Sequence, residues 1–156
     1  MNEIITGDCR EVMAGMEPFP PGPFNIIYAD PPWKYDDKSL SHGGGAESHF
    51  PVLIANQIQD LPLRSIAARD CLLFLWATMP LVPEALEVIE SWGFKYKTCA
   101  FTWVKTTSKV GALFWGMGRW TRSNPELCLL GVKGKPKRIS ADVHSVILAP
   151  VGEHSR

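Results

Sequence analysis

A short polar and aromatic run follows an apolar segment near the start of the chain. Phe24 to Ala29 is mostly apolar, as is typical of a β-strand, and it leads directly into Asp30-Pro31-Pro32-Trp33. An aspartate at a strand end offers a hydrogen-bond acceptor. Consecutive prolines donate no N–H and restrict the backbone, which holds the main-chain carbonyls in a set direction. Because Trp33 adds a π-face for a planar ring, the tetrapeptide predicts a site for a flat group that carries an amino nitrogen.

The exocyclic amino group of adenine fits this site as a methyl acceptor. Its nitrogen is a poor nucleophile, because the lone pair is delocalised into the ring. If Asp30 and the carbonyl of Pro31 accept the two amino hydrogens, the lone pair can turn toward a sulfonium methyl, while Trp33 stacks on the base. We therefore interpret Asp30, Pro31, Pro32 and Trp33 as catalytic residues for methyl transfer from S-adenosylmethionine. The alternative is an Asp-Pro-Pro turn that ends a strand beside a buried tryptophan.

Further runs along nearly the whole chain, in the same order, resemble the mRNA (adenosine-N6-)methyltransferase family and its bacterial and phage relatives that methylate adenine. Besides the tetrapeptide, the resemblance is carried by residues 5–10, 49–51, 73–78, 92–94, 103–106, 118–122, 126–131 and 153–156. It implies an α/β, Rossmann-like S-adenosylmethionine-dependent methyltransferase sheet with permuted motif order. In that order the catalytic loop precedes most of the cofactor site.

The same resemblance assigns the remaining site residues. It places Asp8 and Cys9, together with Asp30, at the cofactor, and it places Trp120, Arg122 and Glu126 near the substrate entrance. Asp8 could equally be a helix N-cap. The alternative for the entrance residues is a surface loop whose tryptophan packs on the core. Tyr35 could line the target pocket or simply pack.

The sequence departs from the family pattern in two places. Phe50 stands where relatives commonly have tyrosine, so a hydroxyl contact is not expected there. Relatives also continue past the position of Arg156 with a Lys-Pro dipeptide, a helix, a strand ending in Phe-x-Arg and a late asparagine. These elements grip the methionine carboxylate and the ribose hydroxyls. We therefore expect one methyltransferase domain over residues 1–156, with its C-terminal part missing and its cofactor pocket incomplete.

Hydrophobic patterning predicts alternating strands and helices. Strands are expected at residues 4–6, 24–29, 71–77, 98–104, 126–132 and 143–148, and helices at residues 54–59, 63–68 and 83–92. Alternation of this kind predicts a layered sheet with ligands outside the carboxyl ends of the strands. We expect the strand at 143–148 to lie beside the catalytic strand. The loops at 34–48 and 105–125 should be the most mobile segments.

Composition limits the class of protein without identifying it. The chain has 156 residues and no net charge, although residues 79–156 hold eleven lysines and arginines against six acids. A local basic face could therefore meet nucleic acid, or the charges could simply be solvated. Four widely spaced cysteines and four scattered histidines predict no metal site. No apolar run is long enough to cross a bilayer, and the start lacks a basic n-region, so we expect a cytoplasmic protein without membrane contact.

The sequence thus predicts methylation of adenine N6 in nucleic acid, with DNA favoured over RNA because no RNA-binding module is recognisable. A homo- or heterodimer is a possible assembly. One rival function is a catalytically silent nucleic-acid-binding or scaffold subunit of a methyltransferase complex. The intact acid of the tetrapeptide opposes that rival. A second rival, an amino-methyltransferase for cytosine, uses similar chemistry but is disfavoured by Trp33 and the family resemblance.

Overall fold

The structure is a computed structural model that describes residues 23–34, 53–107, 112–118 and 120–152. Its strands are β1 (Phe24–Ala29), β2 (Ala67–Thr78), β3 (Lys95–Thr106), β4 (Glu126–Lys133) and β5 (Val146–Pro150). Its α-helices are α1 (Ala55–Gln59), α2 (Leu63–Ile66) and α3 (Val82–Ser91), and a short 3-10 helix at Met79–Leu81 precedes α3. The strands and helices predicted within these ranges are confirmed, with ends that differ by a few residues. The predicted strand at residues 4–6 lies outside them.

The five strands form one mixed sheet in the order β1-β2-β4-β3-β5. β1 and β2 are parallel, and so are β3 and β5, whereas β4 is antiparallel to both of its neighbours. The four parallel strands therefore all end at the same edge of the sheet, and β4 begins there. Side chains from the end of β1, β2 or β3 and from the start of β4 consequently share one edge.

One face of the sheet is buried under the helices. Alternate residues of β2 (Cys71, Leu73, Leu75 and Ala77) are at most 2% exposed, and the register places Leu73 beside Ile27 of β1. Since successive side chains of a strand point to opposite faces, this alternation fixes which face meets the helices. On the other face of β1, Ile26 and Tyr28 are exposed.

The helix α3 supplies much of the cover. Its buried residues Ala85, Val88 and Ile89 recur at helical spacing, and Pro83 stands in the first turn, where its missing N–H costs no hydrogen bond. After α3, Gly93 takes a positive φ of 82° and turns the chain into β3. The indole N–H of Trp92 donates to the carbonyl of Ile58 at 2.9 Å and so joins the end of α3 to α1.

The prediction that the strand at residues 143–148 lies beside the catalytic strand is wrong. β5 lies at the opposite end of the sheet order and pairs with β3, while β2 is the strand beside β1. The register of β5 places Leu148 against Val104, and the indole N–H of Trp103 donates to the carbonyl of Ala149 at 3.1 Å. An apolar run predicts a strand, but the choice of partner depends on contacts between distant segments.

Candidate active site at the carboxyl edge of the sheet

The edge where the parallel strands end collects the polar residues that the sequence singled out. Asp30 follows the last residue of β1, and Glu126 begins β4. The register pairs Glu126 with Thr78 at the end of β2 on one side and with Trp103 near the end of β3 on the other. The antiparallel direction of β4 therefore brings Glu126 to the edge where Asp30 lies, although 95 residues separate the two in the chain.

Backbone hydrogen bonds hold the loop after Asp30 in place. The N–H of Trp33 donates to the carbonyl of Pro31 at 2.8 Å, which closes a tight turn. Leu53 then brackets the loop, because its N–H donates to the carbonyl of Pro32 at 2.8 Å and its carbonyl accepts the N–H of Lys34 at 3.0 Å. The Pro31 carbonyl keeps a second lone pair, since a backbone carbonyl can accept two hydrogen bonds.

Trp33 is buried in the core, with 7% of its surface exposed. Its indole N–H donates to the main-chain carbonyl of Trp76 at 2.9 Å. The Trp76 indole N–H in turn donates to the Tyr28 hydroxyl at 2.6 Å, and these two rings meet edge to face with centroids 6.5 Å apart. The sequence predicted that Trp33 would present a face to a base. In the structure the buried ring joins the loop to β2 through this bond, which agrees with the alternative of a buried tryptophan, and stacking on a base stays a prediction.

The Asp30 side chain is accessible from solvent at the sheet edge, yet protein atoms crowd it. This partial loss of hydration raises the pKa of its carboxyl group above the ordinary value, and the negative charge of Glu126 raises it further. Beneath the site, burial raises the pKa of the Cys128 thiol to about 11, with Cys99 and Asp30 contributing. Cys128 therefore remains a neutral thiol near pH 7.

A lysine that the sequence analysis assigned to no role neutralises Glu126. The Lys105 ammonium forms an ion pair with the Glu126 carboxylate, and its nitrogen lies 5.0 Å from the centroid of the Trp103 ring. The Lys105 side chain is 19% exposed and that of Glu126 is 29% exposed. The pair is thus partly shielded from water, which strengthens it relative to a pair on the open surface.

Asn124 is a second functional candidate that sequence reasoning missed. It is a buried polar residue just before β4. Its side-chain carbonyl accepts the N–H of Lys105 at 3.0 Å, and its side-chain amide donates to the carbonyls of Lys105, at 2.9 Å, and Phe114. Asn124 therefore ties the end of β3 to the loop that connects it to β4. No pattern distinguishes this asparagine in the sequence, because its partners lie 10 and 19 residues away.

The residues predicted at the substrate entrance lie on that same connecting loop. Trp120 is 97% exposed and Arg122 is also exposed, so the alternative that Trp120 packs on the core is wrong. Trp115 and Met117 are exposed as well. The N–H of Gly116 donates to the carbonyl of Ser123 at 2.7 Å and narrows the base of the loop.

The structure does not test the other predicted positions. Asp8, Cys9 and Tyr35 lie outside the described residues. Within the described ranges, Thr78, beside Glu126 in the ladder, has a buried hydroxyl oxygen without a hydrogen-bond partner. Native proteins rarely leave such a group unpaired, so this edge fits a polar ligand that would satisfy it.

In the part of the chain that the structure describes, the His, Cys, Asp and Glu side chains form no cluster of three or more that could hold a metal ion. None of the helices in this part of the chain has the length and apolar character needed to span a membrane.

Comparison with known proteins identifies the family. The model of the MT-A70 family matches residues 24–156, which begin at β1 and include the whole described sheet. The chain belongs to the MT-A70 family. This membership confirms the predicted family resemblance and the mixed α/β fold of a methyltransferase domain.

Individual relatives carry names that agree with this placement. The chain is 35% identical over 150 residues to the type II methyltransferase M.MunI of a Mycoplasma species, an alignment that covers 85% of this chain and 61% of that protein. It is 33% identical over 139 residues to the MT-A70-like N(6)-adenosine-methyltransferase of Arabidopsis thaliana, covering 86% of this chain and 18% of the relative. Human METTL3, an N(6)-adenosine-methyltransferase catalytic subunit, is 30% identical over 132 residues, an alignment that covers 83% of this chain and 21% of METTL3. The chain thus spans about three fifths of the first relative and about a fifth of the other two.

Proposed function

We propose that this protein transfers a methyl group from S-adenosylmethionine to N6 of adenine in nucleic acid, with Asp30 as the catalytic acceptor of an amino hydrogen. The observation that carries the proposal is the position of Asp30. Its carboxylate is reachable at the carboxyl edge of the sheet, directly before a proline pair whose backbone is fixed. Ligands of open α/β sheets bind outside this edge.

The chain's own residues can activate the amino group as follows. Asp30 accepts one amino hydrogen, and the free lone pair of the Pro31 carbonyl accepts the other. With both hydrogens held, the nitrogen lone pair leaves conjugation with the ring and points at the methyl carbon. The new N–C bond forms as the C–S bond breaks, and the surplus proton on nitrogen passes to Asp30 or to water. Trp33 acts as a positioning residue, because its buried indole holds the loop against β2.

S-adenosylmethionine would supply an electrophilic methyl group on a positively charged sulfur. Asp30 and the unpaired Thr78 hydroxyl are the described groups at the edge that could contact it. Asp8 and Cys9 remain proposed contacts for its adenine end, as the family resemblance implies. A carboxylate near a sulfonium is favourable, since opposite charges attract more strongly where water is partly excluded.

The nucleic acid would approach along the exposed loop before β4. An exposed indole and a guanidinium, as at Trp120 and Arg122, suit stacking on bases and pairing with phosphate. A target adenine in a duplex must leave the base stack before its amino group can reach Asp30. We propose DNA as the first substrate to test and RNA as the second.

The second candidate function is a nucleic-acid-binding or scaffold subunit without catalysis. The exposed aromatic side chains of the loop favour it, because they would serve binding alone equally well. Such a subunit would not depend on the Asp30 carboxylate for its activity in a complex. Calorimetric titration with S-adenosylmethionine separates the two candidates, since a scaffold has no need to bind it.

The decisive experiment replaces Asp30. Asp30→Ala should lower the rate of methyl transfer to adenine-containing oligonucleotides by a factor on the order of 10²–10³, which is the usual cost of one lost transition-state contact. Transfer is measured with radiolabelled methyl on matched DNA and RNA strands. The control is Asp142→Ala, which removes an exposed acid that contacts only its own turn through Ser140. Transfer by Asp30→Ala at the level of this control would refute the proposed mechanism.

A further inference from the structure

Two carboxylates share the site edge, and this creates a problem for the proposed chemistry. Asp30 must be ionised to accept an amino hydrogen, yet Glu126 begins β4 at the same edge and its negative charge opposes that ionisation. Like charges close together in a partly dry site favour protonation of one of them. Unless a cation offsets Glu126, that protonation would remove the acceptor.

The structure places one cation where it offsets this charge. The Lys105 ammonium pairs with the Glu126 carboxylate, and 19% of the Lys105 side chain is exposed. The main chain of Lys105 is fixed by Asn124, which bonds both its N–H and its carbonyl, and by the N–H of Phe114, which donates to the same carbonyl at 3.0 Å. The ammonium also lies over the ring of Trp103. A lysine held in this way has little freedom to leave Glu126.

We propose that Lys105 is a positioning residue of the methyl-transfer site, whose ammonium holds and neutralises Glu126 so that Asp30 meets the substrate amino group as a carboxylate. The inference rests on the proposed function for its purpose. The effect of Lys105 on the ionisation of Asp30 can be measured without any catalysis. The simpler alternative is a structural ion pair that joins β3 to β4 and has no effect on Asp30.

Among the described residues, the titratable groups that interact with Asp30 come from β4. They are Glu126, whose charge opposes ionisation of Asp30, and Cys128, which is a neutral thiol near pH 7. From β3, Lys105 reaches Glu126, and Cys99 contributes to Cys128. Burial raises the pKa of Asp30 most, Glu126 is the anion that raises it further, and Lys105 is the cation paired with Glu126.

The first test removes the positive charge. In Lys105→Met the pH midpoint of Asp30 ionisation should rise by about one unit, because an unpaired Glu126 opposes ionisation more strongly. Two readouts follow it: carbon-13 NMR titration of the Asp30 carboxyl group, and the acidic limb of the pH profile of methyl transfer. Lys105→Arg should restore the wild-type midpoint in both, since it keeps the cation.

A matched control separates the local effect from net charge. Lys135→Met removes one positive charge two residues past β4, and β4 spans about 24 Å from Glu126 to its far end at Lys133, at 3.4 Å per residue. It should leave the Asp30 midpoint unchanged. Equal midpoints in wild type, Lys105→Met and Lys135→Met would overturn the inference and leave Lys105 a structural residue.

A second variant keeps the inference testable if Lys105→Met fails to fold. Glu126→Gln removes the opposing carboxylate, so the Asp30 midpoint should fall below the wild-type value by NMR. An unchanged or higher midpoint would contradict the inference. The two proposals also fail separately: a chain without methyl transfer but with shifted NMR midpoints refutes the function alone, while an active chain with unshifted midpoints refutes the role of Lys105 alone.

Discussion

Trp33→Phe tests whether the tryptophan of the site loop anchors the loop. The substitution keeps an aromatic ring in the core but removes the indole N–H that donates to the Trp76 carbonyl at 2.9 Å. Loss of this buried hydrogen bond should cost about 1 kcal/mol. The smaller ring leaves a void among residues that are otherwise close-packed, which should cost a further ~1–2 kcal/mol.

The free energy of unfolding of Trp33→Phe should therefore fall by about 2–3 kcal/mol, a large part of the ~5–15 kcal/mol typical of a domain. Urea unfolding followed by far-ultraviolet circular dichroism measures this loss, because that signal does not depend on the removed indole. An unchanged dependence of the free energy on urea would show that the unfolded state is the same. Transfer should also fall, since the loop that carries Pro31 loses its anchor.

The same substitution at an exposed position gives the control. Trp120→Phe changes a side chain that is 97% exposed and should alter the free energy of unfolding by less than about 0.5 kcal/mol. If Trp33→Phe is as stable as Trp120→Phe while substrate affinity falls, the ring stacks on a base after all. The anchoring role derived from its burial would then be wrong.

Two further predictions concern the backbone around the sheet. Gly134→Ala should cost at least about 2 kcal/mol of unfolding free energy, because Gly134 has a φ of 69° and a Cβ there would lie 2.2 Å from Asp70 Oδ1. The control is Gly152→Ala, which has no atom within 4 Å of the new Cβ and should change thermal unfolding little. Asn124→Ala should cost about 2–3 kcal/mol in urea unfolding, since it leaves buried backbone groups unpaired, and should speed hydrogen exchange at the end of β3. The control is Asn56→Ala, on the exposed side of α1, which should leave the free energy of unfolding unchanged. Equal losses of stability in both asparagine variants would show that Asn124 does not tie β3 to the connecting loop.

The structure limits where residues 105–125 can be mobile. β3 extends to Thr106, and Asn124 and the bond from Gly116 to Ser123 tie down both ends of the connecting loop. Mobility is therefore expected between these ties, around Met117, rather than over the whole segment. Hydrogen exchange of the free protein remains the measurement that tests it.

The sequence by itself determined the local elements and the identity of the acid. Apolar runs predicted β1 through β5, and the spacing of Ala85, Val88 and Ile89 predicted α3, because strand and helix periods are written in neighbouring residues. Asp30 could be singled out because a strand, an acid and two prolines are adjacent in the chain. The resemblance carried by the longer runs then indicated the family to which the chain belongs.

Only the tertiary structure decided which distant residues meet. Sheet order placed β5 beside β3 instead of β1, and it brought Glu126 and Lys105 to the edge where Asp30 lies. Burial decided that the Trp33 ring belongs to the core and that Trp120 belongs to the surface. The reason is physical: strand pairing, burial and charge interaction depend on distances between segments far apart in the chain, and these distances exist only once the sheet has formed.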